Sequence, residues 1–270
     1  MLEQRIGLIG AGQMATALAR GFIKAGLTTA DRILAADVDE TARQRFSEAT
    51  GARTASDNVA VVNRSDLIVL AVKPQQMEGV AAGLRGKIGA PRLVVSIAAG
   101  IRLATLAKWL GQDLRIIRVM PNTPCLIGQG ACGYSLGERA TAEDGVLVGR
   151  LLASLGSAWL VEEKLLDAVT GLAGSGPAFV YVMIEALGDA GVRAGLPRSI
   201  AAGMAAKMVR GAAEMVLATG EHPAVLKDRV ASPGGTTIAG LQSLESGGIR
   251  GALMAAVEAA TRRSVELGKD

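Results

Sequence analysis

Three short segments carry residue types whose spacing can do chemistry. The first is Gly10-Ala11-Gly12-Gln13-Met14-Ala15, placed where an apolar run gives way to a helical pattern. In such a turn the first glycine makes the bend, the second lets the backbone approach a pyrophosphate, and a small last residue lets the helix pack on its sheet. A pyrophosphate then rests on the helix N-terminus, where unpaired amides and the helix dipole attract an anion. The second is Asp37, at the end of the next apolar run. Its carboxylate can accept hydrogen bonds from a ribose 2′-hydroxyl and repels a 2′-phosphate. The competing reading is that Asp37 or Asp39 caps the helix beginning near Glu40, with Arg43 and Arg45 in range of a phosphate. The third is Ser232-Pro233-Gly234-Gly235-Thr236-Thr237, where two glycines free the backbone to aim successive N–H groups at an anion and the following helix adds its dipole.

Other reactive side chains take plainer readings. Lys73 precedes Pro74 after a strand-like run, and we read it as an exposed loop lysine that draws in anions rather than as a proton donor with a shifted pKa. His222 is the single histidine, flanked by Glu221 and Pro223, and reads as a solvated helix-start residue. Cys125 and Cys132 read as reduced thiols, and no Cys/His cluster has metal-ligand spacing, so no metal is expected. Ser175, ahead of Gly176-Pro177, reads as a helix N-cap.

These residues need elements to hold them. The first half alternates strand-like and helical runs, the pattern of βαβ units and a parallel sheet. Strands are expected at Arg5–Ile9, Ile33–Ala36, Leu67–Ala71, Leu93–Ile97 and Ile116–Val119, with Ala158–Val161 closing this half. Helices are expected at Met14–Ala25, Glu40–Ala49 and Ile101–Leu110. From about Glu162 the texture becomes Ala-rich with a 3.6-residue period, which reads as all-helical. Punctuation falls at Gly195-Leu196-Pro197 and at Ser232 to Gly235. The fold class is therefore α/β: a Rossmann-like doubly wound sheet over residues 1–161, then an all-α domain over 162–270. Ala178–Leu187 is apolar on nearly every side, so it should be buried, and in so small a domain that implies a partner subunit.

Composition bounds the function. Of 270 residues half are hydrophobic and only 3% aromatic, which gives a small-grained core large enough for two domains. The formal charge of +4 is spread without a basic stripe, which argues against nucleic acid. Charges are read as cutting every apolar run short of the ~18 residues a membrane span needs, so none is expected. No leader is visible at the N-terminus, so a cytoplasmic location is expected.

Taken together, several segments resemble one family, pyrroline-5-carboxylate reductase. They are Gly10 to Ala15, Ala71-Val72-Lys73-Pro74-Gln75, Ser96-Ile97-Ala98-Ala99-Gly100, Arg118 to Pro124, Gly174 to Ala178, and Ser232 to Gly240. The last is the most specific. The resemblance implies a reductase that passes a hydride from NADPH or NADH to the C=N bond of a five-membered cyclic imine acid, giving proline. It further implies that Gly10, Ala11, Gly12, Gln13, Met14 and Asp37 hold the nucleotide, with Asn58 near the adenosine. Ala71, Val72, Lys73, Pro74, Ala98, Pro121 and Asn122 would hold the nicotinamide half. Val230, Ser232, Gly234, Gly235, Thr236 and Thr237 would bind the imine acid, with Thr237, Ser232 and Thr236 as the catalytic candidates. The C-terminal helices would interlock two subunits, with rings of dimers beyond that. Gln13 stands where Asn is usual, and Asp37 where NADPH-preferring members carry Ser or Thr, so the cofactor preference is left open.

Three rivals were weighed. A hydroxyacid dehydrogenase would place a lysine after the glycines of its helical domain, whereas Val180 follows Gly171, Gly174 and Gly176 here. A reductase of a related cyclic imine acid needs the same apparatus. A non-catalytic nicotinamide-binding sensor would not need an intact Ser232 to Thr237 loop.

Overall fold

A computed structural model describes residues 2–89 and 91–268. The chain forms two compact units, one running to Ser175 and taking in the chain from Ala259 onward, the other comprising Gly176–Glu258.

The first unit is built on eight strands: β1 (Ile6–Ile9), β2 (Ile33–Ala36), β3 (Arg53–Ala55), β4 (Leu67–Leu70), β5 (Leu93–Ser96), β6 (Arg115–Met120), β7 (Gly130–Leu136) and β8 (Gly156–Leu160). Their order is β3-β2-β1-β4-β5-β6-β7-β8. The six strands from β3 to β6 are all parallel, β7 runs antiparallel to β6, and β8 parallels β7. β1, β4 and β5 are buried at every position, as strands covered on both faces must be, and their apolar runs made them legible.

Helices cover both faces. One layer is α1 (Gln13–Lys24), α2 (Glu40–Thr50) and α6 (Ala142–Ala153), which bury Leu18, Phe22, Phe46, Val148 and Leu151 against Leu8 and Val69. The other is α3 (Asn58–Asn63), α4 (Pro74–Leu84) and α5 (Leu103–Leu110), which bury Val62, Met77, Leu84 and Leu106 against Ile68 and Leu70. The sequence reading lacked β3, β7, α3, α4 and α6. β3 is only three residues long, and β7 is mostly small residues with no period-two alternation. The glycines of β7 are there for close approach: a Cβ on Gly133 would lie 2.9 Å from Val169, and one on Gly130 would lie 2.3 Å from the Cys125 sulfur.

After β8 the chain passes α7 (Leu166–Val169) and a π-turn at Thr170–Gly174. The Ser175 N–H closes that turn onto Thr170 O at 2.8 Å, and the Ser175 backbone is itself right-handed helical. This corrects the N-cap reading, because a cap needs extended backbone and Ser175 is right-handed helical at the bend between the π-turn and α8. The unit's polar anchor is Arg118, buried on β6. Its guanidinium meets Glu163 at 3.2 Å and Asp167 at 3.9 Å. Glu163 also accepts the Leu103 N–H at 2.7 Å, and Asp167 accepts the Ser264 hydroxyl at 2.7 Å. One cation thereby ties the start of α5, the segment before α7 and the C-terminal end of α12 (Ile249–Leu267) to the sheet.

The second unit is helical: α8 (Gly176–Arg193), α9 (Arg198–Thr219), α10 (Pro223–Val230), α11 (Thr236–Ser246) and the start of α12. α8 and α9 pack closely because small residues face each other. A Cβ on Gly191 would sit 3.0 Å from Ala201 Cβ, and one on Gly188 would sit 3.6 Å from Ala202 Cα. The expected burial of Ala178–Leu187 is not met within this chain, where Tyr181 is 60% and Val182 65% exposed. The helical stretch Glu163–Arg193 also contains an 18-residue window of mean hydropathy 1.3, enough by length and composition to cross a membrane. That corrects the expectation that charges interrupt every such run, since Ala168 to Ile184 carries none.

Replacing Arg118 with Ala leaves two carboxylates facing each other without their cation. We expect urea denaturation at fixed protein concentration to show a loss of about 3 kcal/mol, whereas an exposed control such as Arg250→Ala should cost under ~1 kcal/mol.

Candidate functional site

Six parallel strands deliver their carboxyl ends to one edge of the sheet, and most of the residues expected to bind a nucleotide follow those ends directly. Gly10 leaves β1 with φ +102°. A Cβ there would lie 2.8 Å from Ala71 O and 2.9 Å from the Ala71 carbonyl carbon, so only glycine lets the end of β1 pass the end of β4. Gly12 differs. Its backbone is extended, it caps α1, and a Cβ on it would meet no atom within 4 Å. The space beside Gly12 is open to a ligand, and the α1 first turn contains no acidic side chain to repel an anion. Gln13 and Met14 begin α1 there, and buried Ala15 lets the helix sit on the sheet. This turn fits a pyrophosphate by geometry as well as by motif.

Asp37 follows β2, and both of its carboxylate oxygens are already in use. Oδ2 accepts the Ala11 N–H at 2.8 Å, and Oδ1 accepts the Asp39 N–H at 3.0 Å. The cap of α2 is Asp39, whose side chain accepts the Thr41 N–H at 2.9 Å. Arg43 donates to the Asp37 carbonyl at 2.8 Å. Asp37 is thus not the α2 cap; it bridges the glycine turn to the end of β2. Each carboxylate oxygen retains a second lone pair.

Asn58 is the first residue of α3, which Asp57 caps through the Val59 and Ala60 N–H groups. Lys73 is the exposed N-cap of α4, with Pro74 at N1, where a missing N–H costs nothing. After β5, buried Ser96 accepts a long 3.4 Å hydrogen bond from the Ala98 N–H, and Ala98 is buried too. Gly100, at φ +78°, lies against Leu267 of α12, where a Cβ would come within 3.4 Å. After β6, Pro121 and Asn122 are buried. The Asn122 side chain acts as a brace: Nδ2 donates to Ala173 O at 3.0 Å and Oδ1 accepts the Ala131 N–H at 3.0 Å. Sequence reading could not foresee this brace, because its partners lie 51 and 9 residues away.

In the second unit, Gly234 at φ +64° and Gly235 lead into α11. Gly235 caps that helix without a side chain, so the first-turn N–H groups, including those of Thr236 and Thr237, have no capping oxygen. A Cβ on Gly235 would collide with Ser232 Oγ at 2.2 Å, so the serine hydroxyl is folded over the turn. Thr237 is half-buried, whereas Ser232, Gly234 and Thr236 are exposed and Val230 is 67% exposed. His222 caps α10, with Nδ1 accepting the Ala224 N–H at 3.2 Å.

The two glycines of the nucleotide turn can be separated experimentally. Gly10→Ala should lower unfolding stability by about 2–3 kcal/mol because of the positive φ and the Ala71 contact. Gly12→Ala should keep stability within ~1 kcal/mol yet weaken nucleotide binding by about tenfold or more, read by titration calorimetry.

Known proteins resemble the chain along its whole length. The family profile for pyrroline-5-carboxylate reductase dimerisation matches residues 163–267, and that for NADP oxidoreductase, coenzyme F420-dependent, matches residues 5–100. A pyrroline-5-carboxylate reductase of Glycine max is 50% identical over 262 residues, covering 97% of this chain and 95% of its own. One of Methanosarcina acetivorans is 47% identical over 269 residues, covering 100% of each. Among solved structures, a pyrroline-5-carboxylate reductase from Coxiella burnetii superposes with TM-score 0.93 at 34% identity over 100% of both chains. Plasmodium falciparum pyrroline carboxylate reductase with NADP bound gives TM-score 0.90 at 33% identity over 99% of both.

Proposed function

The chain belongs to the pyrroline-5-carboxylate reductase family, and on that premise we propose that it reduces the C=N bond of 1-pyrroline-5-carboxylate to give L-proline, the last step of proline biosynthesis. The observation that carries this reading is 50% identity to a named reductase over 97% of the chain, so that both halves are matched and not the nucleotide half alone.

When bound, the reduced nicotinamide of NADPH or NADH supplies the hydride. The chain's own part is to bind, orient and protonate. Gly10, Ala11, Gly12, Gln13 and Met14 receive the pyrophosphate on the α1 N-terminus. Asp37 and Asn58 flank the adenosine ribose. Ala71, Val72, Lys73 and Pro74, with Ala98, Pro121 and Asn122, seat the nicotinamide half, Lys73 as an anion-attracting charge. Val230, Ser232, Gly234, Gly235, Thr236 and Thr237 form the imine-acid pocket, where the uncapped first turn of α11 takes the carboxylate. The Thr237 hydroxyl hydrogen-bonds the ring nitrogen and helps carry the proton that makes the C=N carbon electrophilic, with Ser232 and Thr236 completing the polar wall. In this division residues 1–161 serve the nucleotide and 162–270 the substrate and assembly, which the family match beginning at 163 supports.

The exposed apolar faces of α8 and α9, among them Tyr181, Val182, Met204 and Met208, fit a homodimer interface, in line with the dimerisation profile over this region. That assignment gives the apolar Glu163–Arg193 stretch a protein partner rather than a bilayer. We extend it to a cytoplasmic enzyme whose dimers associate into rings and which binds neither membrane nor nucleic acid.

Loss of absorbance at the reduced-nicotinamide band on adding the imine acid tests the reaction, and no turnover with either nucleotide would overturn it. Thr237→Ala should lower kcat by about tenfold or more while nucleotide affinity is retained. Unchanged kinetics would remove Thr237 from the chemistry. Asp37→Ser should raise the NADPH-to-NADH preference by about tenfold, equivalent to ~1.4 kcal/mol, because an anion beside the 2′ position is removed while a hydroxyl remains to accept the Ala11 N–H. A ratio that does not move would leave Asp37 only its turn-bridging role.

A further inference from the structure

We propose that Cys125 and Cys132 form a hydroperoxide-reactive dithiol that closes to a reversible intramolecular disulfide. The inference does not depend on the nucleotide or substrate assignments. Cys125 lies in the turn Thr123–Ile127 after β6, and Cys132 lies on β7. Both are free and buried, and their sulfurs are 3.6 Å apart. The local chain is shaped around this pair: the missing side chain of Gly130 is the space Cys125 Sγ occupies, since a Cβ there would come within 2.3 Å of it. The turn is held by the Cys125 N–H on Asn122 O and the Gly128 N–H on Cys125 O, both at 3.1 Å, with Gly128 at φ +72°. Leu126 and Ile127 are 47% and 77% exposed, so little packing resists a small inward shift of the turn.

Access and reactivity both fall on Cys125. It lines a cavity of about 710 Å³ between α1 and the turn, together with Arg20, Gly21, Lys24, Gln129 and Ser154. Cys132 is fully buried and does not line that cavity. The Cys125 and Cys132 sulfurs share a hydrogen bond at 3.6 Å, and Cys125 Sγ also lies 3.8 Å from Asn122 Oδ1. The contact with Cys132 lowers the Cys125 thiol below its ordinary range despite burial. Cys132 is pushed up by the same hydrogen bond and by burial, so of the two it is Cys125 that more readily forms a thiolate. A thiolate facing a cavity beside a protonated neighbour is the arrangement of an attacking and a resolving cysteine.

The Cys125 thiolate attacks one oxygen of a hydroperoxide, the O–O bond breaks, and Cys125 becomes a sulfenic acid as hydroxide or alkoxide leaves. The Cys132 sulfur then attacks Cys125 Sγ, the S–S bond forms and the S–O bond breaks. The Cys132 proton ends up on expelled oxygen. With hydrogen peroxide, two thiols lose two electrons and the oxidant leaves as two waters. The sulfurs must close from 3.6 Å to the ~2.05 Å of a disulfide, which draws the turn capped by Asn122 toward β7.

The test uses the full-length protein and hydrogen peroxide. Intact mass should fall by about 2 Da with loss of both thiols, and dithiothreitol should restore them. The rate of thiol loss should rise with pH, following thiolate formation at Cys125, and a pH-independent rate would count against Cys125 as the attacking thiol. Cys132→Ala should stop at a sulfenic acid that dimedone traps, formed more slowly because the hydrogen bond that activates Cys125 is lost, and Cys125→Ser should abolish the reaction. A folded wild-type protein whose mass does not change, that only gains oxygen, or that links two chains would overturn the proposal. Should a variant fail to fold, the wild-type mass and peptide map decide alone.

Discussion

The structure turns on one backbone crossing, where the chain leaving β1 passes within van der Waals contact of the chain leaving β4. The two strands are neighbours in the sheet, yet their connections depart to opposite sides, toward β2 and toward β5. Such a divergence opens a crevice at the carboxyl edge. The crevice exists only if the first residue after β1 can turn with φ +102° beneath Ala71, which confines the position to glycine. The uncapped α1 terminus, the open space at Gly12 and the Asp37 bridge to Ala11 all follow from the path that Gly10 sets.

A second constraint works on the same edge from behind. Arg118 is one of few charged residues in the core, and it gathers Glu163 and Asp167, through which α5 and the end of α12 are tied to β6. The loop after β5 is backed by that same helix end, with Gly100 against Leu267. Asn122 does the equivalent for the loop after β6, joining it to β7 and to the π-turn. Loops with few apolar side chains of their own are therefore tied down by buried polar groups that reach distant segments. A rigid floor suits hydride transfer, which depends on the nicotinamide being presented in one orientation.

The glycine turns before α1 and α11, the two proposed to receive anions, are alike in their open first turns and different in their support. At α1 the cap is Gly12 and the turn is braced by an aspartate from the neighbouring strand. At α11 the cap is Gly235 and the serine three residues earlier folds over it. In neither helix does a side chain occupy the first-turn amides, the reverse of α2 and α6, where Asp39 and Thr141 fill them.

The sequence by itself determined the strands whose apolar runs are buried on both faces, the glycine turns at Gly10 and Gly234, and the change to helix near Glu162, because each is written in local period or backbone freedom. It also carried the family, since motifs in fixed order span both halves. Tertiary structure alone decided which of Asp37 and Asp39 caps α2, that Asn122 is a brace, that Ser175 has helical rather than cap backbone, and that Cys125 and Cys132 meet. Each depends on a partner brought near by the sheet or on a helix register that no local pattern fixes. β7 belongs to the same group: its small residues are chosen for what presses against them, Val169 and Cys125, so its own sequence shows no alternation to read.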